Sequence, residues 1–99
     1  MKMNNEVDQL LQQLETTRDQ FWNITPEVGE FLANLIIEHN FQTVLEIGTS
    51  NGYSGLHLAR ALTKPGGQLY TIESILKKRF PLAQETFAKS GLTNITLIL

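Results

Sequence analysis

The stretch VLEIGTSNGYSG, residues 44–55, constrains the fold of this 99-residue chain more than any other. A short, mostly apolar run leads into a segment with three glycines, and a helical pattern begins within that segment. Glycine tolerates backbone conformations that other residues avoid, and it lets a small molecule come close to the main chain. The stretch therefore predicts a strand, a tight turn and a helix, with a candidate ligand site at the turn.

The segments before the turn predict two helices and the first strand. Apolar residues recur at helical spacing in about the first twenty residues, which predicts an amphipathic helix. A second helix is expected to begin after Thr25, as its cap, with Pro26 in its first turn, and to end near Asn40. The run TVLEI, residues 43–47, has the composition of a parallel strand that is covered on both faces.

The segments after the turn alternate between helix and strand. Pro81 should lie in a break or in the first turn of the last helix, and Gly91 should cap the end of that helix. The predicted elements are a helix over residues 53–62, a strand over 68–73, a helix over about 75–90 and a strand over 95–99.

This order of elements predicts an α/β fold, a Rossmann-like half domain in which two N-terminal helices precede β-α-β-α-β. Because right-handed crossovers join neighbouring parallel strands, three parallel strands should lie in the order 3-2-1. The arrangement is one mononucleotide-binding half of a doubly wound fold. We divide the chain into an N-terminal amphipathic helix, residues 1–22, and a partial Rossmann-like domain, residues 23–99.

Composition excludes several classes of partner and site. The formal net charge is −2, and the only basic cluster is KKR at residues 77–79, so we expect no nucleic-acid partner. The amino terminus lacks the apolar segment of a signal peptide and no apolar run reaches membrane-spanning length, so we expect no membrane partner. Without cysteine there is no disulfide, thiolate metal site or cysteine nucleophile, and we predict a cytoplasmic protein.

The glycine spacing argues against a phosphate ligand. Gly48, Gly52 and Gly55 form G-x-x-x-G-x-x-G, and Ser50 takes the place of the second glycine of the dinucleotide fingerprint G-x-G-x-x-G. The lysine of a phosphate-binding loop is missing as well. We expect a ligand without a diphosphate, whose carboxylate would be favoured by amide donors at the helix start.

Two acidic residues narrow the ligand further. Glu46 lies just before the turn, where its carboxylate could bind turn amides or attract a ligand ammonium group. Glu73 closes the second predicted strand, twenty-one residues after Gly52, and an acid at about this separation can accept hydrogen bonds from both ribose hydroxyls. A ribose, a carboxylate and an ammonium group together describe S-adenosylmethionine.

The segments VLEIGTSNGYSGLHLARAL, GGQLYTIES and FAKSGLTNITL together resemble the amino-terminal half of class I S-adenosylmethionine-dependent methyltransferases, in particular the catechol and caffeoyl-CoA O-methyltransferase group. The preceding ITPEVGEFLANLI resembles the entry helix of that group, in which Thr25 and Pro26 match a segment bordering the cofactor. For cofactor binding, the resemblance implies Glu46, Gly48, Ser50 and Gly52 around the methionine part, Tyr53 and Ser54 at the helix start, and Glu73 on the ribose.

The resemblance also implies what this sequence lacks. Members of the group continue beyond the third strand of a seven-stranded sheet, and the metal ligands and catalytic lysine of the metal-dependent members lie in that part. We therefore nominate no catalytic residue and no metal ligand, and expect a divalent metal only for the complete family fold. The expected chain is the truncated, cofactor-binding half of an O-methyltransferase for small-molecule hydroxyls, inactive alone. The alternative is a non-catalytic cofactor-binding or self-associating module.

Other interpretations of these residues stay open. The glycines could serve only a tight turn, and Tyr53 is as readily expected to pack as to touch a ligand. His57 is expected to be a surface histidine or one with satisfied hydrogen bonds.

In the complete fold a fourth strand pairs with the first, so TVLEI should have an open edge here. We expect a homodimer through that edge, or else the first helix folded over it.

Overall fold

The structure, a computed structural model, describes residues 2–17, 23–75 and 78–99. Residues 18–22 of the predicted N-terminal unit and Lys77 of the basic cluster lie outside this part of the chain. The described residues form four helices and three strands. In chain order these are α1 (Lys2–Glu15), α2 (Pro26–His39), β1 (Thr43–Ile47), α3 (Tyr53–Leu62), β2 (Gln68–Ile72), α4 (Arg79–Ser90) and β3 (Ile95–Ile98).

The three strands form one parallel sheet with β2 in the middle, so the predicted order 3-2-1 is confirmed. Thr43 lies opposite Gln68, and Leu69 lies opposite Ile95. This register brings the carboxyl ends of all three strands to one edge of the sheet, where the glycine turn follows β1. The α/β, Rossmann-like half domain expected from the element order is the observed architecture.

Local capping signals set the helix ends as predicted. The Thr25 side chain accepts a hydrogen bond from the Val28 amide at 3.2 Å, and Pro26 is the first residue of α2. Pro81 lies in the first turn of α4, and Gly91 caps that helix with φ +74°. The main difference is the start of α4, which is at Arg79 and not near residue 75.

The helices build the core on one face of the sheet. Helix α1 packs against α3 and α4, α2 packs against α3, and α3 packs against β1 and β2. Val7 and Leu11 of α1 are buried in the same core as the α3 side chains, so α1 is not folded over the edge of β1. The largest fully buried apolar residues of this core are Leu56, Leu62, Leu69 and Tyr53.

The expectation that β1 is covered on both faces is wrong. Val44 and Glu46 are half-buried beneath the helices, whereas Leu45 and Ile47 on the opposite face are 61% and 75% exposed. Both crossovers run in the same direction, from β1 to β2 to β3, so their right-handedness places α3 and α4 on the same side. We call the other side the open sheet face, with Leu45, Ile47, Tyr70 and Ile98 as its exposed apolar residues.

Candidate functional site

A cavity of about 420 Å³ lies beside β1, between the glycine turn and the start of α2. This volume falls within the roughly 300–1,000 Å³ of typical ligand pockets. The cavity brings together four predicted cofactor residues and an apolar wall. The four are Glu46, Gly48, Ser50 and Ser54, and the wall includes Ile24, Leu32, Val44 and Leu58.

The backbone of the turn is left-handed at alternate positions. The φ angles are +91° at Gly48, +55° at Ser50 and +95° at Gly52. A Cβ atom at Gly48 would meet nothing within 4 Å, so the space beside this glycine is open. A Cβ atom at Gly52 would lie 3.0 Å from the Phe87 ring, so this glycine also serves packing against α4. Gly48 is therefore the position at which a ligand can approach the main chain.

Most of the turn's amides already donate hydrogen bonds within the protein. They are therefore not the free donors for a ligand carboxylate that were expected from the sequence. Such a carboxylate would have to displace these bonds to use the same donors. The bonds run from Gly48 and Thr49 to the Ile72 carbonyl at 2.8 and 3.1 Å, from Ser50 to Glu73 Oε1 at 2.6 Å, from Gly52 to the Thr49 carbonyl at 3.1 Å, and from Tyr53 to Asn51 Oδ1 at 3.2 Å.

The Glu46 carboxylate accepts hydrogen bonds from two hydroxyl groups. From the sequence, amides of the turn were one expected set of donors instead. Ser54 Oγ donates to Glu46 Oε2, and Thr71 Oγ1 donates to Glu46 Oε1 at 2.6 Å. The Thr49 hydroxyl lies 2.7 Å from the Thr71 hydroxyl. Because Thr71 gives its one proton to Glu46, Thr49 must donate to Thr71. Hydrogen bonds thus run from the Thr49 hydroxyl in the turn to the Thr71 hydroxyl on β2, and from there to the Glu46 carboxylate at the cavity. We call this series the hydroxyl chain.

The environment of Glu46 favours a cationic neighbour. Burial raises the pKa of Glu46 above its ordinary value, and the nearby Glu73 acts in the same direction, while the Ser54 and Thr71 hydroxyls oppose the shift. None of the described groups that act on this pKa is a cation. A ligand ammonium group beside Glu46 would offset the cost of burying its charge.

Glu73 is 4% exposed and ties the glycine turn to the end of β2. Its Oε1 accepts from the Ser50 amide at 2.6 Å, and its Oε2 accepts from the Ile75 amide at 3.0 Å. Each carboxylate oxygen keeps further lone-pair capacity, but the side chain does not line the cavity. The ribose contact stays a prediction, and it requires this carboxylate to become more accessible.

The side chain of Tyr53 packs, which was one of its two expected roles. It is 1% exposed, and its hydroxyl donates to Glu15 Oε2 of α1 at 2.8 Å. Asn51, at the turn, accepts from the Tyr53 amide and donates from Nδ2 to Thr17 Oγ1 at 3.2 Å. No local sequence pattern pointed to Asn51, Thr49 or Thr71, because their partners are 22 to 34 residues away.

The expectation that His57 is a surface histidine, or one with satisfied hydrogen bonds, is wrong. This side chain is 5% exposed, and neither ring nitrogen has a hydrogen-bond partner among the described residues. Its ring meets the Tyr53 ring edge-on at 5.0 Å, and a Cβ atom at Gly29 would lie 2.6 Å from it. Burial is the main cause that lowers the pKa of His57, and the positive charge of Arg60 lowers it further. Acids on α1 and α2 act in the opposite direction.

Within residues 2–17, 23–75 and 78–99, no group of three or more potential metal-ligating side chains occurs. No helix in that part of the chain combines the length and apolar character needed to cross a membrane.

Comparison with known proteins places this geometry in a family. The O-methyltransferase family model matches residues 2–98. The catechol O-methyltransferase of Niastella koreensis is 38% identical over 72 residues, which cover 73% of this chain and 32% of that protein. The O-methyltransferase from Bacillus cereus in complex with SAH has a TM-score of 0.74 at 28% identity, covering 96% of this chain and 44% of that one. TomG from Streptomyces achromogenes, in complex with SAM, has a TM-score of 0.77 at 29% identity, covering 90% and 41%.

The chain spans about a third of the length of the curated relative and about two fifths of the length of the two solved structures. Within that span, the similarity covers nearly all of this chain and includes the helices, the sheet and the glycine turn. The resemblance seen in the sequence is confirmed, and the chain belongs to the O-methyltransferase family.

Proposed function

We propose that this chain carries the S-adenosylmethionine-binding part of an O-methyltransferase that acts on a small-molecule hydroxyl. The observation that carries the proposal is the cavity at the glycine turn, where the half-buried Glu46 carboxylate lies beside the open backbone of Gly48. The complexes of the Bacillus cereus and Streptomyces relatives with SAH and SAM support this choice of ligand.

The residues at the turn fit the methionine end of that cofactor. Glu46 would hold the ammonium group, because a cation relieves the raised pKa of a buried carboxylate. Gly48 leaves the backbone accessible, Ser50 and Gly52 would border the methionine part from the same turn, and Tyr53 and Ser54 begin the adjoining helix α3. Glu73 would bind the ribose after moving from its amide partners. When bound, S-adenosylmethionine supplies the methyl group from its sulfonium centre, and these residues orient it.

Titration calorimetry with S-adenosylmethionine tests the proposal. We expect binding by the wild-type chain and a loss of about tenfold or more in Glu46→Gln, since about 1.4 kcal/mol corresponds to each factor of ten. Glu38→Gln is the matched control, because it removes the same charge from an exposed position of α2 that does not line the cavity. Absence of heat at millimolar ligand would reject cofactor binding by this chain, and equal affinities of the two variants would reject the role of Glu46.

A second candidate function is a non-catalytic, self-associating module. The favouring observation is that β1 has a strand neighbour on one side only, among the described strands, and exposes Leu45 and Ile47. Two copies pairing their β1 edges about a two-fold axis would form one continuous sheet. Light scattering coupled to gel filtration should show a dimer at micromolar concentration, and a monodisperse monomer would contradict it. The cytoplasmic location and the domain boundary at residues 22 and 23 stay predictions.

A further inference from the structure

Four side chains connect the end of α1 to the glycine turn, and we call this set the α1–turn network: Glu15, Thr17, Asn51 and Tyr53. Tyr53 Oη donates to Glu15 Oε2 at 2.8 Å. Asn51 Nδ2 donates to Thr17 Oγ1 at 3.2 Å. The Thr17 hydroxyl donates in turn to the Leu14 carbonyl at 2.7 Å, which fixes the direction of its lone pairs. Both contacts join residues more than thirty positions apart in the chain.

The turn side of this network controls the start of α3. Gly52, the residue at the helix cap, has no side chain that could accept from the first amides. Asn51 Oδ1 takes this role by accepting from the Tyr53 amide at 3.2 Å. Asn51 and Tyr53 are 2% and 1% exposed, so water cannot readily replace a lost partner. The backbone of the turn is thus held from α1 through two buried side chains.

We propose that Glu15 and Thr17 are positioning residues of the cofactor turn. Through Tyr53 and Asn51 they hold the left-handed backbone that leaves Gly48 open, and they touch no ligand, because neither lines the cavity. The consequence for ligand affinity rests on the proposed function. The consequence for the turn itself does not, because it concerns the conformation of the chain without ligand.

The docking of α1 does not depend on this network alone. Val7 and Leu11 are buried in the core, and Asp8, in the middle of α1, forms an ion pair with Arg60 of α3. Asp8→Asn therefore weakens the same helix contact away from the turn. It serves as the control that separates loss of α1 stability from loss of turn geometry.

The test compares Thr17→Val and Glu15→Ala with the conservative variants Thr17→Ser and Glu15→Gln, which keep a hydrogen-bond acceptor. Backbone amide shifts and hydrogen exchange at Gly52 and Tyr53 are measured without ligand, well below the unfolding temperature. We expect both disruptive variants to shift these resonances and to accelerate exchange by about tenfold. The conservative variants should return exchange to within about twofold of wild type, and Asp8→Asn should leave the resonances in place.

Calorimetry with S-adenosylmethionine completes the test. Both disruptive variants should bind about five- to tenfold more weakly, with Asp8→Asn unchanged. If the wild-type chain binds no S-adenosylmethionine, the proposed function fails, and the amide measurements without ligand still decide the positioning role. Unchanged amides in Thr17→Val and Glu15→Ala, or changes no larger than in Asp8→Asn, would overturn the proposal.

Discussion

The Thr71 hydroxyl donates to Glu46 Oε1 at 2.6 Å and thereby connects the middle strand with the candidate cofactor site. Thr71→Val keeps the shape of the side chain but removes this donor and leaves the buried Thr49 hydroxyl without its acceptor. We expect the free energy of unfolding at pH 7 to fall by about 1–3 kcal/mol, the usual cost of an unpaired buried group. Denaturant unfolding measures the loss. Thr71→Ser is the control that keeps the hydroxyl, and equal losses in both variants would contradict the hydroxyl chain.

The raised pKa of Glu46 predicts a pH dependence that a ligand should change. The folded chain holds the Glu46 proton more tightly than the unfolded chain does, so Glu46 stabilises the fold at pH values below its ordinary pKa of 4.5. This contribution is lost as the pH rises through the higher pKa of the folded chain. Carbon NMR of the Glu46 carboxyl should show its titration midpoint above 4.5. Saturating S-adenosylmethionine should lower that midpoint, since an ammonium group stabilises the carboxylate. A midpoint that does not move on binding would place the ammonium elsewhere.

His57 predicts a loss of stability in mild acid. Burial lowers its pKa, so the unfolded chain takes up the proton first, near 6.5, and stability falls from there down to the lower folded pKa. Each unit of difference between the two pKa values is worth about 1.4 kcal/mol. His57→Leu should remove this part of the acid dependence, as measured by unfolding at several pH values. His39→Gln, at the exposed end of α2, should retain it. The same acid slope in both variants would exclude His57 as its source.

Local signals in the sequence were sufficient for the start of α2, the end of α4 and the strand order, but not for the start of α4. Thr25 and Pro26 start α2 and Gly91 ends α4 through interactions within a few residues, and the crossover handedness then orders the strands. The contacts of Asn51 and Thr71 could not be predicted, because their partners come from the turn after α1 and from β1, and no local pattern encodes such pairs. Apolar residues at both faces of β1 suggested full coverage, but the helices that the structure describes all lie on one face of the sheet.

The open sheet face predicts concentration-dependent association. Ile47 is 75% exposed next to the edge of β1 at which no described strand pairs, and a lysine there would discourage pairing of two edges. Ile47→Lys should raise the dissociation constant of the dimer about tenfold, measured by light scattering over a series of concentrations, if the substitution costs the dimer about 1.4 kcal/mol. Leu82→Lys on α4 is the control, since it replaces an exposed apolar residue on another surface. Equal dimer fractions in the two variants would contradict association through β1.

Methyl transfer should require more than the described site provides. The cavity residues of this chain can hold and orient a methyl donor, but we assign none of them to deprotonate or position an acceptor hydroxyl. Among the described residues that line the cavity, Glu46 is the one acid, and its two oxygens already accept from Ser54 and Thr71. We therefore expect the chain to bind S-adenosylmethionine without transferring its methyl group. Tritiated methyl incorporation into a catechol should equal a no-protein blank, with a full-length family member as the positive control. Incorporation above the blank would contradict this expectation.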